Sequence, residues 1–279
     1  AGADPLTGDG AGMTIQMPDD FMRNVAEQEG FTLPGERRYG VAMCFLPNDD
    51  ALNAAARAAL ELAATENGMR VLGWRNVPNN PDAIGVTARA IMPRIAQLFV
   101  SAPDGVEGDD FERSLYLARK TAEKQFLYAE TDPETRKVLL REFYVCSWSS
   151  RTLIYKGMLL IDQLGEFFPD LHDPHMVTAF GLVHSRFSTN TLGSWRLAHP
   201  YRMLCHNGEI NTIRGNQNWM RAREALFSSP IFGEDMAKLS PIIREGASDT
   251  AGFDNALELL VSSGRSLPHA MMMMIPEAW

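Results

Sequence analysis

A chain of 279 residues, 45% hydrophobic and 22% charged, is long enough to bury a large core without disulfide or metal staples, in one or two domains. Its formal net charge of −9, with Lys and Arg scattered along the chain, argues against a nucleic-acid partner or an anionic membrane surface. Three cysteines with no CxxC pair or zinc spacing, no apolar run of the ~18 to 20 residues that span a bilayer, and no basic, apolar leader point to reduced thiols in a cytoplasmic compartment.

The chain opens on AGADPLTGDGAG, a glycine-rich turn with no element before it, which reads as a cut. A strand over 13–17 and a helix over 19–29 follow, then a strand over 39–46. The helix expected over 49–66 has Asp49 or Asp50 as its cap, Leu52, Ala55, Ala59 and Leu62 as its apolar stripe, and Gly68 just past its end. A strand over 69–77, the loop PNNPD at 78–82, a strand over 93–101 and the loop APDGVEGDD at 102–110 come next. A helix over 109–130 places Phe111, Leu115, Ala118, Ala122 and Phe126 on one side, and Asp132 to Glu134 with Pro133 start another over 133–140. Strands over 142–149 and 151–156, a helix over 158–167, strands over 176–187 and 201–207, and helices over 210–227 and 251–264 complete the alternation. Met271 to Met274 read as part of a buried strand over 270–275, and the closing IPEAW, a Pro followed by helix formers, reads as a second cut. The class is α+β, and with no repeat or low-complexity linker a single continuous domain is expected.

Four motifs could carry chemistry. HNGEINT (206–212) joins the side-chain amide of Asn207 to the backbone N–H of Gly208 on an expected strand-to-helix turn. Two such donors can form an oxyanion hole, although Asn-Gly is equally a chain-reversing dipeptide. FGLVHSRFSTN (180–190) starts as an inner strand and ends polar, so Arg186 stands where the strand emerges; it could grip a ligand carboxylate or form a structural ion pair. In SDT (248–250), Asp249 is either an ordinary helix cap or the partner of a substrate ammonium. The glycine-rich TGDGAG has no strand before it and no Lys after it, which disfavours phosphate binding.

The ordered set HSRFST, LAHP, HNGEINT and SDT resembles the class II glutamine amidotransferases, which have the N-terminal nucleophile (Ntn) hydrolase fold, a four-layer αββα sandwich. SRTLIYKGM (150–158), ADPLTGDGAG (3–12) and HNGEINTIRGNQNWM (206–220) are similar to glutamate synthase large subunits in particular, and the resemblance spans essentially all 279 residues. It implies an amidotransferase type 2 domain over 1–279, incomplete at both ends, that hydrolyses L-glutamine to glutamate and ammonia. Residue by residue, it makes Arg186, with Thr189 beside it, the grip on the glutamine α-carboxylate and Asp249 the holder of the α-ammonium. Asn207 and Gly208 become the oxyanion hole, with His199 and His206 supporting the turn. For the parent enzyme it implies amination of 2-oxoglutarate with reduction at FMN, electrons arriving through a [3Fe-4S] cluster from a small NAD(P)H-oxidising subunit or ferredoxin. None of those cofactors is expected to bind within these residues; the partners expected of them are glutamine and the remainder of the large subunit.

The family's nucleophile is an N-terminal cysteine whose own α-amine is the base, and this chain does not contain it. Cys44 and Cys146 sit in apolar strands, Cys205 and His206 would point to opposite faces of an extended strand, and Ser185 and Ser188 lack a partnered base. The chain alone is therefore expected to be inactive. Another class II amidotransferase, or a non-catalytic glutamine-binding domain, are the rival readings. His172 and His175, split by Asp173-Pro174, read as a surface pair rather than a metal site.

Overall fold

The computed structural model describes residues 4–129, 132–186, 193–206 and 213–275. In chain order the elements are β1 (Ala11–Gln16), α1 (Asp19–Gln28), β2 (Tyr39–Leu46), α2 (Asp50–Glu66), β3 (Arg70–Asn76), α3 (Val86–Ala90), β4 (Arg94–Ser101), α4 (Gly108–Leu127) and α5 (Pro133–Glu142). They continue with β5 (Tyr144–Ser149), β6 (Thr152–Gly157), α6 (Gln163–Phe167), β7 (Gly181–Ser185), α7 (Ile213–Glu224), α8 (Asp249–Ser262) and α9 (Leu267–Met274). The strands form two antiparallel sheets, one ordered β3-β4-β2-β5 and the other β6-β1-β7.

The four-stranded sheet is covered on both faces, and its sequence says so. The run YGVAMCFL of β2 is buried throughout, and alternate residues serve different layers. Val41, Met43 and Phe45 join Ile95 and Phe99 of β4 in a core shared with Ile15, Leu153 and Tyr155 of the three-stranded sheet. Ala42, Cys44 and Leu46 join Leu60 of α2 and Phe111, Leu115 and Ala118 of α4 in a second core on the other face. Burying each large apolar side chain contributes about 1.5 to 3 kcal/mol, which is where the stability of this half resides. The chain passes from one sheet to the other at Ser150–Arg151, where Glu112 of α4 accepts from the Ser150 N–H at 2.8 Å and from the Ser149 hydroxyl at 2.8 Å.

A polar group is buried between the sheets. Arg75 of β3 donates both ends of its fork to Asp170, at 2.8 and 2.7 Å, and also to Gln97 of β4, at 3.0 Å. Tyr155 of β6 donates its hydroxyl to the same Asp170 at 2.8 Å. One carboxylate thus joins strands of both sheets.

Several elements match expectation and several do not. Strand 39–46 and the starts of the helices at Asp49 and Asp132, whose side chains cap the backbone, are as read. On α2 the expected stripe is rotated: Ala55 and Leu62 are exposed, and the buried residues are Asn53, Ala56, Leu60, Ala63 and Ala64. Alanines on every side of this helix mark no face, and the Asn53 amide fixes the rotation by donating to the Pro47 carbonyl at 3.0 Å. The helix over 158–167 is reduced to Gln163–Phe167, because the Gln163 side chain turns back to accept the Leu160 N–H at 2.8 Å. The strand over 176–187 shrinks to Gly181–Ser185, the preceding Thr178 hydroxyl closing a local turn on the Phe180 carbonyl at 2.6 Å. No strand forms in the described part of 201–207; Tyr201 N–H instead donates to Leu204 O at 2.9 Å, a turn. The methionine run is a helix, α9, started by Ser266, and Met272 is 73% exposed.

Candidate active site

The glycine-rich segment that runs into β1 needs its glycines for close contact. A Cβ on Gly8 would lie 2.0 Å from the Leu159 carbonyl carbon, and one on Gly12 would lie 2.5 Å from Lys156 Cβ and 2.7 Å from the His199 oxygen. The loop is pressed against the segments 156–160 and 193–199. Lys156, 1% exposed, donates to the carbonyls of Arg196 at 3.1 Å and Ala198 at 2.8 Å, with Tyr144 and Tyr201 rings on either side. Burial pushes its ammonium down to about 8. Lys156 thereby holds the stretch that carries His199.

Arg186 follows directly on β7, its N–H donating to Gly10 O at 2.8 Å. Its guanidinium is half-buried and reaches the Leu197 carbonyl at 3.5 Å. The same carbonyl accepts the Tyr201 hydroxyl at 3.1 Å, and that hydroxyl lies 3.0 Å from Ser248 Oγ. Ser248 caps α8, accepting the Ala251 N–H at 3.2 Å, and Asp249 is the first residue of the helix. The two ends of the expected head-group clamp, separated by 63 positions in sequence, are joined by this short polar path.

Asp249 and His206 share the wall of a cavity of ≈ 610 Å³ between α7, α8 and α9, together with Asn216, Gln217 and otherwise mostly apolar residues. Arg186 does not line it. Asn207, Gly208 and Thr189 lie outside the described residues, so the expected oxyanion hole is not located here. The Asp249 carboxylate accepts the Thr250 N–H at 2.7 Å, a local helix-start contact.

His199 is 6% exposed and packs at a tilt against His184 and Tyr201, with ring centroids 4.4 and 4.7 Å away. Burial first, then the neighbouring His184, Lys156 and Arg186, hold its imidazole far down, at about 3, so it is neutral in the fold. His184 carries no signal of its own in the sequence, where it reads as one more inner-strand residue. Its pKa too is lowered, by burial and by Arg186.

The cysteines divide as expected, with one change of reason. Cys44 and Cys146 are fully buried, and burial raises both thiols, Cys146 to about 11. Cys205 and His206 are not on a strand, so alternation does not separate them; burial also raises the Cys205 thiol, which leaves it protonated and a poor nucleophile. His172 and His175 are exposed, and His175 Nδ1 lies 3.0 Å from Asp173.

A buried charge cluster lies below this region, and no sequence motif marks it. Arg119, Lys120 and Glu123 of α4 face inward, where a charge run ordinarily marks a solvated face, and they meet Arg202, Arg244, Asp254 and Glu258. The Asp254 carboxylate also accepts the Met203 N–H at 2.8 Å, fixing the chain just before His206 to α8.

The whole chain, residues 1–279, matches the family of glutamine amidotransferases class-II, and it belongs to that family. Among the curated proteins it is similar to, the large chain of NADPH glutamate synthase from Bacillus subtilis is 45% identical over 279 residues. Chloroplastic ferredoxin-dependent glutamate synthase from Oryza sativa subsp. japonica is 42% identical over 278 residues, and NADH glutamate synthase from Schizosaccharomyces pombe 43% over 287. Each match takes in 100% of this chain but only 18%, 17% and 13% of the relative's length.

Proposed function

We propose that this chain is the glutaminase part of a glutamate synthase, in which L-glutamine is hydrolysed to glutamate and ammonia. The ammonia would then aminate 2-oxoglutarate in another part of the longer protein, with FMN and a [3Fe-4S] cluster supplying the redox chemistry there. No residue of this chain is assigned to either cofactor. In this reading the chain is one continuous, partial amidotransferase domain, and its two sheets are the inner layers of a four-layer sandwich. The cover of α2 and α4 on the four-stranded sheet supports that arrangement.

The observation that carries the proposal is the path from Arg186 to Asp249 through Leu197, Tyr201 and Ser248. Free glutamine is a zwitterion, and a fixed cation and anion at the two ends of its head group select it over peptides and other amides. Arg186, with Thr189, takes the α-carboxylate and Asp249 the α-ammonium; Asn207 and Gly208 stabilise the tetrahedral oxyanion; His199 and His206 support their turn. The thiol that attacks the amide comes from outside these residues, since the three cysteines present carry raised pKa values. The electron donor is left open by this segment, because relatives named for NADPH, NADH and ferredoxin match it about equally well.

In the full-length protein, Asn207→Ala is expected to lower glutamine-dependent turnover by roughly 10²-fold or more while ammonia-dependent synthesis survives. If both activities fall together, Asn207 is structural and the reading fails.

A further inference from the structure

The Glu123 carboxylate is ringed by four cations. Arg119 donates to it at 3.1 Å, and Arg202, Arg244 and Lys120 stand 3.8, 3.9 and 3.8 Å away. None of these five side chains is more than 7% exposed. Two further carboxylates belong to the cluster: Glu258 pairs with Arg119, and Asp254 lies 3.8 Å from Arg202. Arg196, whose guanidinium donates to the Gly246 carbonyl at 2.8 Å, adds a fifth cation. Four buried cations, Arg119, Lys120, Arg202 and Arg244, with the half-buried Arg196 beside them, therefore face Glu123, Asp254 and Glu258, a positive excess where uncompensated charge is costly.

The excess has a location. Arg119, Arg196, Arg202 and Arg244 line one small cavity with Glu123 and Tyr144, and its ≈ 10 Å³ of open space is room for a single water-sized particle. Two of these arginines also have donors left over: Arg202 Nε and Arg244 Nε and Nη1 are buried without a hydrogen-bond partner. Unpartnered N–H groups on two lining arginines, a net positive charge and a very small volume favour an occupant that only accepts and carries one negative charge. Carboxylates, phosphate and sulfate are too large, a halide ion needs only a small outward shift of the lining guanidinium groups, and a water would leave the charge uncompensated while bringing two donors of its own.

We propose that this cavity binds a monatomic anion, a halide ion, between the guanidinium groups of Arg196, Arg202 and Arg244. The ion would fasten the 196–206 segment to α4, β5 and the start of α8 from below. The probe is bromide. Crystals of the full-length protein grown in sodium bromide and measured at the bromine absorption edge should show an anomalous peak in this cavity. A water or empty density here, with bromide found only at surface arginines as an adventitious ion, overturns the proposal. In solution at constant ionic strength, replacing gluconate by chloride should raise the melting temperature saturably, by about 5 °C. Arg244→Met should abolish that chloride-dependent part, and an unchanged chloride response in the folded variant would also overturn the site. Should Arg244→Met fail to fold, the bromide experiment on the unsubstituted protein decides alone.

Discussion

The stretch up to Met176 and the described residues beyond it are held by different forces. The first supplies nearly all of both large apolar cores, with regular strands and helices packed face to face. The second contributes one short strand, a few helices and a small satellite core around Phe232, Leu239 and Leu259, and is fastened to α4 and β5 largely by buried charge. Arg202 donates to the Val145 carbonyl, Arg244 to the Phe143 carbonyl, and Lys120 to the Pro241 carbonyl at 2.5 Å. Apolar burial is non-directional and sets a scaffold; directional charged hydrogen bonds place a loop at a defined distance and angle.

Removing one side chain from each half is the sharpest way to break this contrast. Glu123→Gln strips the counter-charge from four buried cations and is expected to cost about 4 kcal/mol, read as a shift in urea midpoint. Its loss should also be local: amide exchange rises in 196–206 and 241–258 while β2 and β4 stay protected. Uniform loss of protection would show that the halves are not distinct. Leu60→Ala, in the core beneath α2, should cost about 3 kcal/mol and lower exchange protection in both halves together.

Next in size is a pH effect confined to the second half. His199 is held neutral with a folded pKa of about 3 against an ordinary 6.5, so below 6.5 the unfolded chain takes up a proton that the fold refuses. Stability should therefore fall as pH drops through the window from 6.5 toward 3, by about 2 kcal/mol between pH 6.5 and 5. His199→Gln should flatten that slope, and an unaltered slope in the variant would assign the titration elsewhere. The smallest effect belongs to the scaffold: Asp49→Ala removes a cap that accepts the Leu52 N–H at 2.9 Å and should cost about 1 kcal/mol by thermal melting, with no change in pH dependence.

The same division governs what can be read from residues alone. Unbroken apolar runs such as YGVAMCFL and side-chain caps such as Asp49 and Asp132 are local signals, and the scaffold follows them. Helix α2 misleads because its alanines mark no face, and α9 because four methionines suit a buried strand as readily as a helix, although Ser266 followed by Leu267 and Pro268 is a plain helix start. Arg186 and Asp249 are legible as candidates by motif, but the Tyr201–Ser248 contact that joins their elements is not, since it depends on a turn at 201–204. The charges of α4 are least legible of all. Nothing within one helix distinguishes an inward arginine from a solvated one until its distant partners, 79 to 139 positions away, are in place.

The carboxylate of Asp170 has a mechanical meaning for the whole molecule. Interdigitated side chains between two sheets resist sliding by shape alone, through contacts that are individually weak and non-directional. A bidentate fork from Arg75 on one sheet and a phenol from Tyr155 on the other, closing on a single buried carboxylate, behave as a dowel through two boards. Shear between the sheets would have to break those bonds together, so the two sheets are expected to move as one body.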